Sequence, residues 1–138
     1  MNELIDAHGR KVTYLRVSVT DRCNLSCRYC REKDMPFIPH ESILRFEEME
    51  DIIGLMAGMG VRKLRFTKGF IAFLRRIRQQ HPSLGLRITS NGTLLGPHIE
   101  ALKELDAMMN ISLDTLDRAR FASITGKDLL PDVLENLR

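Results

Sequence analysis

Residues 14–30 read YLRVSVTDRCNLSCRYC. The opening run, Tyr14–Val19, is rich in β-branched and aromatic side chains and stops at a polar turn. It predicts a strand that delivers the chain directly into a loop carrying Cys23, Cys27 and Cys30. Three later runs share this form: KLRFT at 63–67, LRIT at 86–89 and MNISL at 109–113. Between them the hydrophobic period changes. Met49, Ile52, Ile53 and Met56 follow an i, i+3, i+4, i+7 stripe, and Phe70, Phe73, Leu74 and Ile77 repeat it, so both segments predict amphipathic helices. Gly60 reads as the C-cap of the first. Ile99, Leu102 and Leu105 predict a third helix after Pro97, residues from Asp117 to Ile124 a fourth, and one more is cut short at Leu137-Arg138. Strands alternating with helices imply βαβ units, a parallel sheet and right-handed crossovers. The fold class is α/β.

The last three predicted strands begin in an even rhythm, at residues 63, 86 and 109, whereas the first begins at 14. The first unit therefore carries an insertion, and the insertion holds the cysteines. A closed eight-unit barrel takes about 250 residues, roughly 31 per unit, so 138 residues accommodate about four units. A partial TIM-like (β/α) barrel is the predicted architecture, with residues 1–138 as one domain and a short flanking segment at the N-terminus.

Composition narrows the function classes. With 43% hydrophobic and 28% charged residues, the chain suits one folded domain rather than a disordered one. Lys and Arg exceed Asp and Glu by 21 to 18, too small a surplus to announce a nucleic-acid or membrane surface. The first ten residues lack a signal-peptide core, and the longest apolar stretch, near Ile52 to Val61, is too short for a bilayer. A cytoplasmic protein is expected, with no nucleic-acid or membrane partner.

The spacing Cys23-x3-Cys27-x2-Cys30 falls just after a strand, at the C-terminal edge of a parallel sheet where ligand sites concentrate. An odd number of thiols within eight residues suits a metal better than a disulfide framework. Four-iron clusters ordinarily take four thiolates, so three leave one iron open to substrate or cofactor. Two alternatives stand on the same residues. His40 could complete a Cys3His zinc site, giving a non-catalytic binding module, although Pro36 and Pro39 stiffen the path to it. Cys27-Arg-Tyr-Cys30 matches a C-x-x-C redox pair but leaves Cys23 unexplained.

Taken together, LRVSVTDRCNLSCRYC, VRKLRFT, RITSNGTLL and NISLDTLDRARFASITG, in this order and at βα spacing, resemble the radical S-adenosylmethionine (SAM) superfamily. Within it they are most similar to the GTP 3′,8-cyclase family of molybdenum-cofactor biosynthesis. The resemblance implies a radical SAM core domain whose cluster-binding loop, residues 20–31, holds a [4Fe-4S] cluster through Cys23, Cys27 and Cys30. It implies lyase chemistry in which an electron donor reduces the cluster, SAM yields a 5′-deoxyadenosyl radical, and GTP is the substrate. Carried over residue by residue, Tyr29 and Ser112 would contact SAM, while Arg16, Arg65 and Thr89 would contact GTP; no side chain is assigned as a catalytic residue. A radical SAM enzyme with another substrate fits the same cysteine loop.

Arg16 and Arg65 lie within otherwise apolar strands, where an unpaired charge is costly to bury, so a ligand anion would justify both. The alternative is an outward-pointing side chain or a pair with Asp21 or Asp114. Arg75, Arg76 and Arg78 read as a solvated helix face, Met49, Met56, Met59, Met108 and Met109 as flexible core filler, and Asn91-Gly92 as a turn bordering the site. The chain also departs from the family pattern. Where the family's second strand ends in a Gly-Gly-Glu-Pro loop that receives the SAM amino group, Thr67 here runs straight into Lys68-Gly69-Phe70. About seven residues are missing at that junction by comparison with the family. The chain also stops after four βα units, so the family's later strands, second cluster and further GTP contacts are expected to be absent.

Overall fold

A computed structural model describes residues 3–30, 32, 34–67 and 71–138. Four strands, β1 (Tyr14–Ser18), β2 (Lys63–Thr67), β3 (Gly85–Ser90) and β4 (Met108–Ile111), form one sheet in sequence order. Every neighbouring pair is parallel. The sheet is open rather than closed into a barrel, with β1 and β4 at its edges. Helices α1 (Phe46–Gly58), α2 (Ile71–Gln80) and α3 (Ile99–Glu104) connect successive strands, and α4 (Arg118–Thr125) and α5 (Leu130–Asn136) follow β4. This is the α/β, partial TIM-like arrangement that the alternating periods predict.

Strand periodicity decides what each face does. Leu64 and Phe66 of β2 and Leu86 and Ile88 of β3 point toward the helices and are buried with Ile53, Phe73, Leu74 and Ile77. Phe73 joins the layers: its ring stacks on Phe46 at 4.8 Å and meets Phe66 edge-on at 5.7 Å. Each such side chain contributes about 1.5–3 kcal/mol by leaving water. A smaller cluster of Phe121, Leu130 and Val133 packs α4 and α5 together beyond the last strand. On the opposite face, Arg16, Arg65 and Arg87 stand side by side across β1, β2 and β3.

Several details differ from the periodic reading. Phe70 and the whole Lys68-Gly69-Phe70 junction lie outside the described residues. Ile52 is exposed because α1 contacts the sheet through a narrower stripe, led by Met49 and Ile53. Met108 is also exposed, since the pleat of β4 turns Met109 rather than Met108 toward the core. The last helix does agree with that reading: it runs Leu130–Asn136 and is capped at Leu137. Arg78 is no solvated charge. Its guanidinium donates to the carbonyls of Pro82, Leu84 and Leu105, binding the end of α2 to the turns that lead into β3 and β4. Arg75 and Arg76 do face solvent, paired with Glu104 and Glu50. The N-terminal segment makes an Ile5–Lys11 bridge and hangs on α1 through Leu4 N–H to the Met59 carbonyl. No helix among the described residues is long and apolar enough to cross a membrane.

Candidate functional site

The cysteine loop leaves the C-terminal end of β1 and is fastened at both flanks. On one side, Ser26 N–H donates to the Thr125 carbonyl at 2.8 Å and Arg28 N–H to the Ile124 carbonyl at 3.0 Å, which ties the loop to the last turn of α4. That turn can receive the loop because α4 stops at Gly126, whose φ of +76° is a left-handed cap. On the other side, Asn24 Nδ2 donates to Thr93 Oγ1, Asn91 Nδ2 donates to Asn24 Oδ1, and Thr93 Oγ1 donates back to Asn91 Oδ1. Thr93 is buried, so this closed ring of bonds replaces water at the end of β3. Asn91 Nδ2 also lies 3.7 Å from Cys23 Sγ and donates to it.

Between these fastenings lies a cavity of about 470 Å³ at the C-terminal edge of the sheet. Cys23, Cys27, Cys30, Tyr29, Thr89 and Ser112 all line it, the apolar part of its wall coming from α3, its approach and the strand ends. Six of the eight side chains selected from the sequence as ligand contacts are thus gathered in one place. Arg16 and Arg65 are not on this wall. They stand on the open sheet face, one same-face step (two residues along the strand) back from the level of Thr89. The thiols sense one another: burial first, then the nearby Cys23 and Cys30, push the Cys27 thiol up. Tyr29 O–H donates to Asp114 Oδ2 at 2.6 Å, and this bond to a carboxylate raises the phenol far above its ordinary value. The bond orients a ring that is otherwise 68% exposed. Asp114 therefore serves Tyr29, and Asp21 accepts from Ile38 N–H at 2.7 Å, so neither pairs with the strand arginines.

Residues 17–138 match the radical SAM superfamily. The chain belongs to that superfamily. Among its curated relatives, a GTP 3′,8-cyclase 2 of Pseudomonas aeruginosa is 39% identical over 145 positions, covering 99% of this chain and 44% of the relative. A GTP 3′,8-cyclase of Erythrobacter litoralis is 42% identical over 96% of this chain and 43% of its own length. One of Caulobacter vibrioides is 43% identical over 88% and 38%. The chain spans less than half the length of these relatives. An alignment of 145 positions against a chain of 138 residues also leaves at least seven positions of the first relative facing a gap here. The β2–α2 junction, three residues between Thr67 and Ile71, is where the motif reading locates that loss.

The radical SAM assignment can be tested against the side chains present. Among the described residues, no three His, Cys, Asp or Glu side chains converge as ligands of a single metal ion. His40 lines a different pocket, of about 420 Å³, beside Val19 and the start of α1. The mononuclear Cys3His site considered from the sequence is therefore not assembled. Cys23, Cys27 and Cys30 are free thiols on the wall of one cavity, the donor type that an iron–sulfur cluster takes. Thr89 Oγ1 is buried without a hydrogen-bond partner although its side chain lines the cavity, as a position awaiting a polar ligand atom would be. The donor set and the cavity fit the cofactors of the superfamily.

Asn24, Asn91, Thr93, His98 and Asp114 border or brace this site without having been selected as contacts from the sequence. Asn91-Gly92 was legible as a turn. Its partners were not, because Asn24 lies 67 residues away and only the parallel order of β1 to β3 brings the two together.

Proposed function

We propose that Cys23, Cys27 and Cys30 hold a [4Fe-4S] cluster, that Tyr29 and Ser112 contact SAM in the adjoining cavity, and that the protein acts on GTP as a cyclase-type lyase in a reaction fed by an external electron donor. The observation that carries this reading is the gathering of the three thiols with Tyr29, Thr89 and Ser112 on one cavity at the C-terminal sheet edge. Residues 1–138 act as a radical SAM core domain in which residues 20–31 are the cluster loop. A four-iron cluster held by these thiols would supply one-electron reduction, drawn from the external donor, to SAM bound beside it.

The chain's own residues do the rest. The α4 clasp and the Asn24–Asn91–Thr93 ring hold three thiols in place, and the Asn91 amide donates to Cys23 Sγ, which offsets negative charge there. Tyr29, oriented by Asp114, lines the cavity with its ring, and Ser112 adds a hydroxyl from just past β4. Arg16, Arg65 and Thr89, on one face of the sheet, are the GTP contacts.

Anaerobic reconstitution with iron and sulfide tests this reading. The expected result is a broad iron–sulfur absorption that bleaches in air and is absent from Cys27→Ala. Stoichiometric zinc with no iron uptake would establish the non-catalytic binding module instead.

A further inference from the structure

The face of the sheet turned away from the helices carries a charge pattern that the cysteine cavity does not use. Arg16 is the direct neighbour of Arg65, and Arg65 of Arg87, in the parallel register of β1, β2 and β3. Lys63 lies one same-face step from Arg65 on β2. None of the four strands contains an aspartate or glutamate. Among the described residues no carboxylate pairs with Arg16, Arg65 or Arg87, and Arg65 Nε is buried with no hydrogen-bond partner at all. Like charges directly opposite across strands repel, and a buried donor left unmade is costly. Arginine also presents a fork of donors matched to phosphate oxygens. A row of three such forks, uncompensated within the described chain, is complementary to an extended anion.

We propose that Arg87 is a third anion-binding residue that completes a row with Arg16 and Arg65, and that this row takes a linear polyphosphate, setting a preference for nucleoside triphosphate over monophosphate. Neighbouring strands lie about 4.8 Å apart, so the row spans roughly 9.6 Å, more than one phosphate group can bridge. Thr89 lies two residues beyond Arg87 on the same face of β3, about 6.6 Å nearer the cavity. A nucleotide with its phosphates on the row would extend its remaining part past Thr89 toward the cysteine cavity. The inference rests on the GTP reading above for the identity of the nucleoside, while the row itself rests on the register and the missing counter-charges.

Direct titration of the 138-residue chain at low salt with inorganic tripolyphosphate, pyrophosphate, orthophosphate, guanosine, GTP and ATP tests it, and needs no cluster. Affinity should rise with phosphate number. Arg87→Met should weaken tripolyphosphate on the order of tenfold while barely changing orthophosphate, and Arg87→Lys, which keeps the charge but not the fork, should fall between. Arg75→Met, on the exposed side of α2, should change nothing. Because it removes a like-charge neighbour, Arg87→Met should melt no lower than the parent. Unchanged tripolyphosphate affinity in Arg87→Met, an equal loss in Arg75→Met, or no binding of tripolyphosphate would overturn the proposal. The two readings fail separately. GTP and ATP binding alike, both sensitive to Arg87→Met, would remove the guanine assignment and keep the row; GTP binding that depends on Arg16 and Arg65 but not on Arg87 would do the reverse.

Discussion

Gly92 shows how one residue fixes a wall of the site. It follows Asn91 at the end of β3 with a φ of +79°, and a Cβ added there would come within 3.1 Å of Val133 Cγ1 and 3.4 Å of Ile111 Cγ2. The backbone must turn left-handed here so that the Asn91 amide can reach back to Asn24 and Cys23 while α5 packs behind it. Gly92→Ala combines left-handed strain of about 1–2 kcal/mol with overpacking of about 1–3 kcal/mol. A urea-melt loss of roughly 2–5 kcal/mol is expected, and a loss below about 0.5 kcal/mol would mean that α5 yields freely. The turn was legible as Asn-Gly, because that dipeptide favours positive φ. The crowding was not, since Val133 reaches the turn only through the packing of α5.

At the scale of elements, the strands were legible from their short β-rich runs, and α1, α2 and α3 from apolar stripes that the fold buries in the main, Ile52 excepted. The open-face arginines illustrate the limit. Arg16 and Arg65 stood out singly within apolar runs, but the alignment of Arg87 with them depends on strand register, which no single strand encodes. The β2–α2 connection carries a separate prediction. With only Lys68, Gly69 and Phe70 between Thr67 and Ile71, the sequence there lacks the Gly-Gly-Glu-Pro of the family pattern. On the SAM reading proposed above, the backbone and carboxylate of that loop would receive the SAM amino group, and misplacement of about 1 Å costs on the order of a hundredfold in rate. Inserting that loop between Thr67 and Lys68 should tighten SAM binding and raise the yield of 5′-deoxyadenosine. Equal binding and equal yield with and without the insertion would show that the junction is not where the cofactor site is weakened.

Across the whole molecule, the cysteine loop is the piece through which distant elements meet. Ser26 and Arg28 donate to the end of α4, Asn24 bonds to Asn91 and Thr93 at the end of β3, and Asn136 Nδ2 on α5 donates to the Gly92 and Thr93 carbonyls. A group bound by the three thiols in the native state alone stabilises that state by mass action, by about 2.7 kcal/mol when free ligand exceeds its dissociation constant a hundredfold. The stabilisation should spread along these bonds rather than stay in the loop. Cluster reconstitution is therefore expected to raise the melting temperature under anaerobic conditions, and to slow amide exchange at Ser26 and Arg28 together with the amides of α4 and α5. Thr125→Val separates transmission from simple binding. Its hydroxyl donates to the Phe121 carbonyl and accepts from Lys127 N–H, so the change loosens the α4 turn without touching a cysteine. In that variant the cluster should still form while protection of α4 falls back toward its apo value. Full protection of α4 in Thr125→Val, or a melting temperature identical in apo and reconstituted protein, would show that the loop folds independently of the elements it joins.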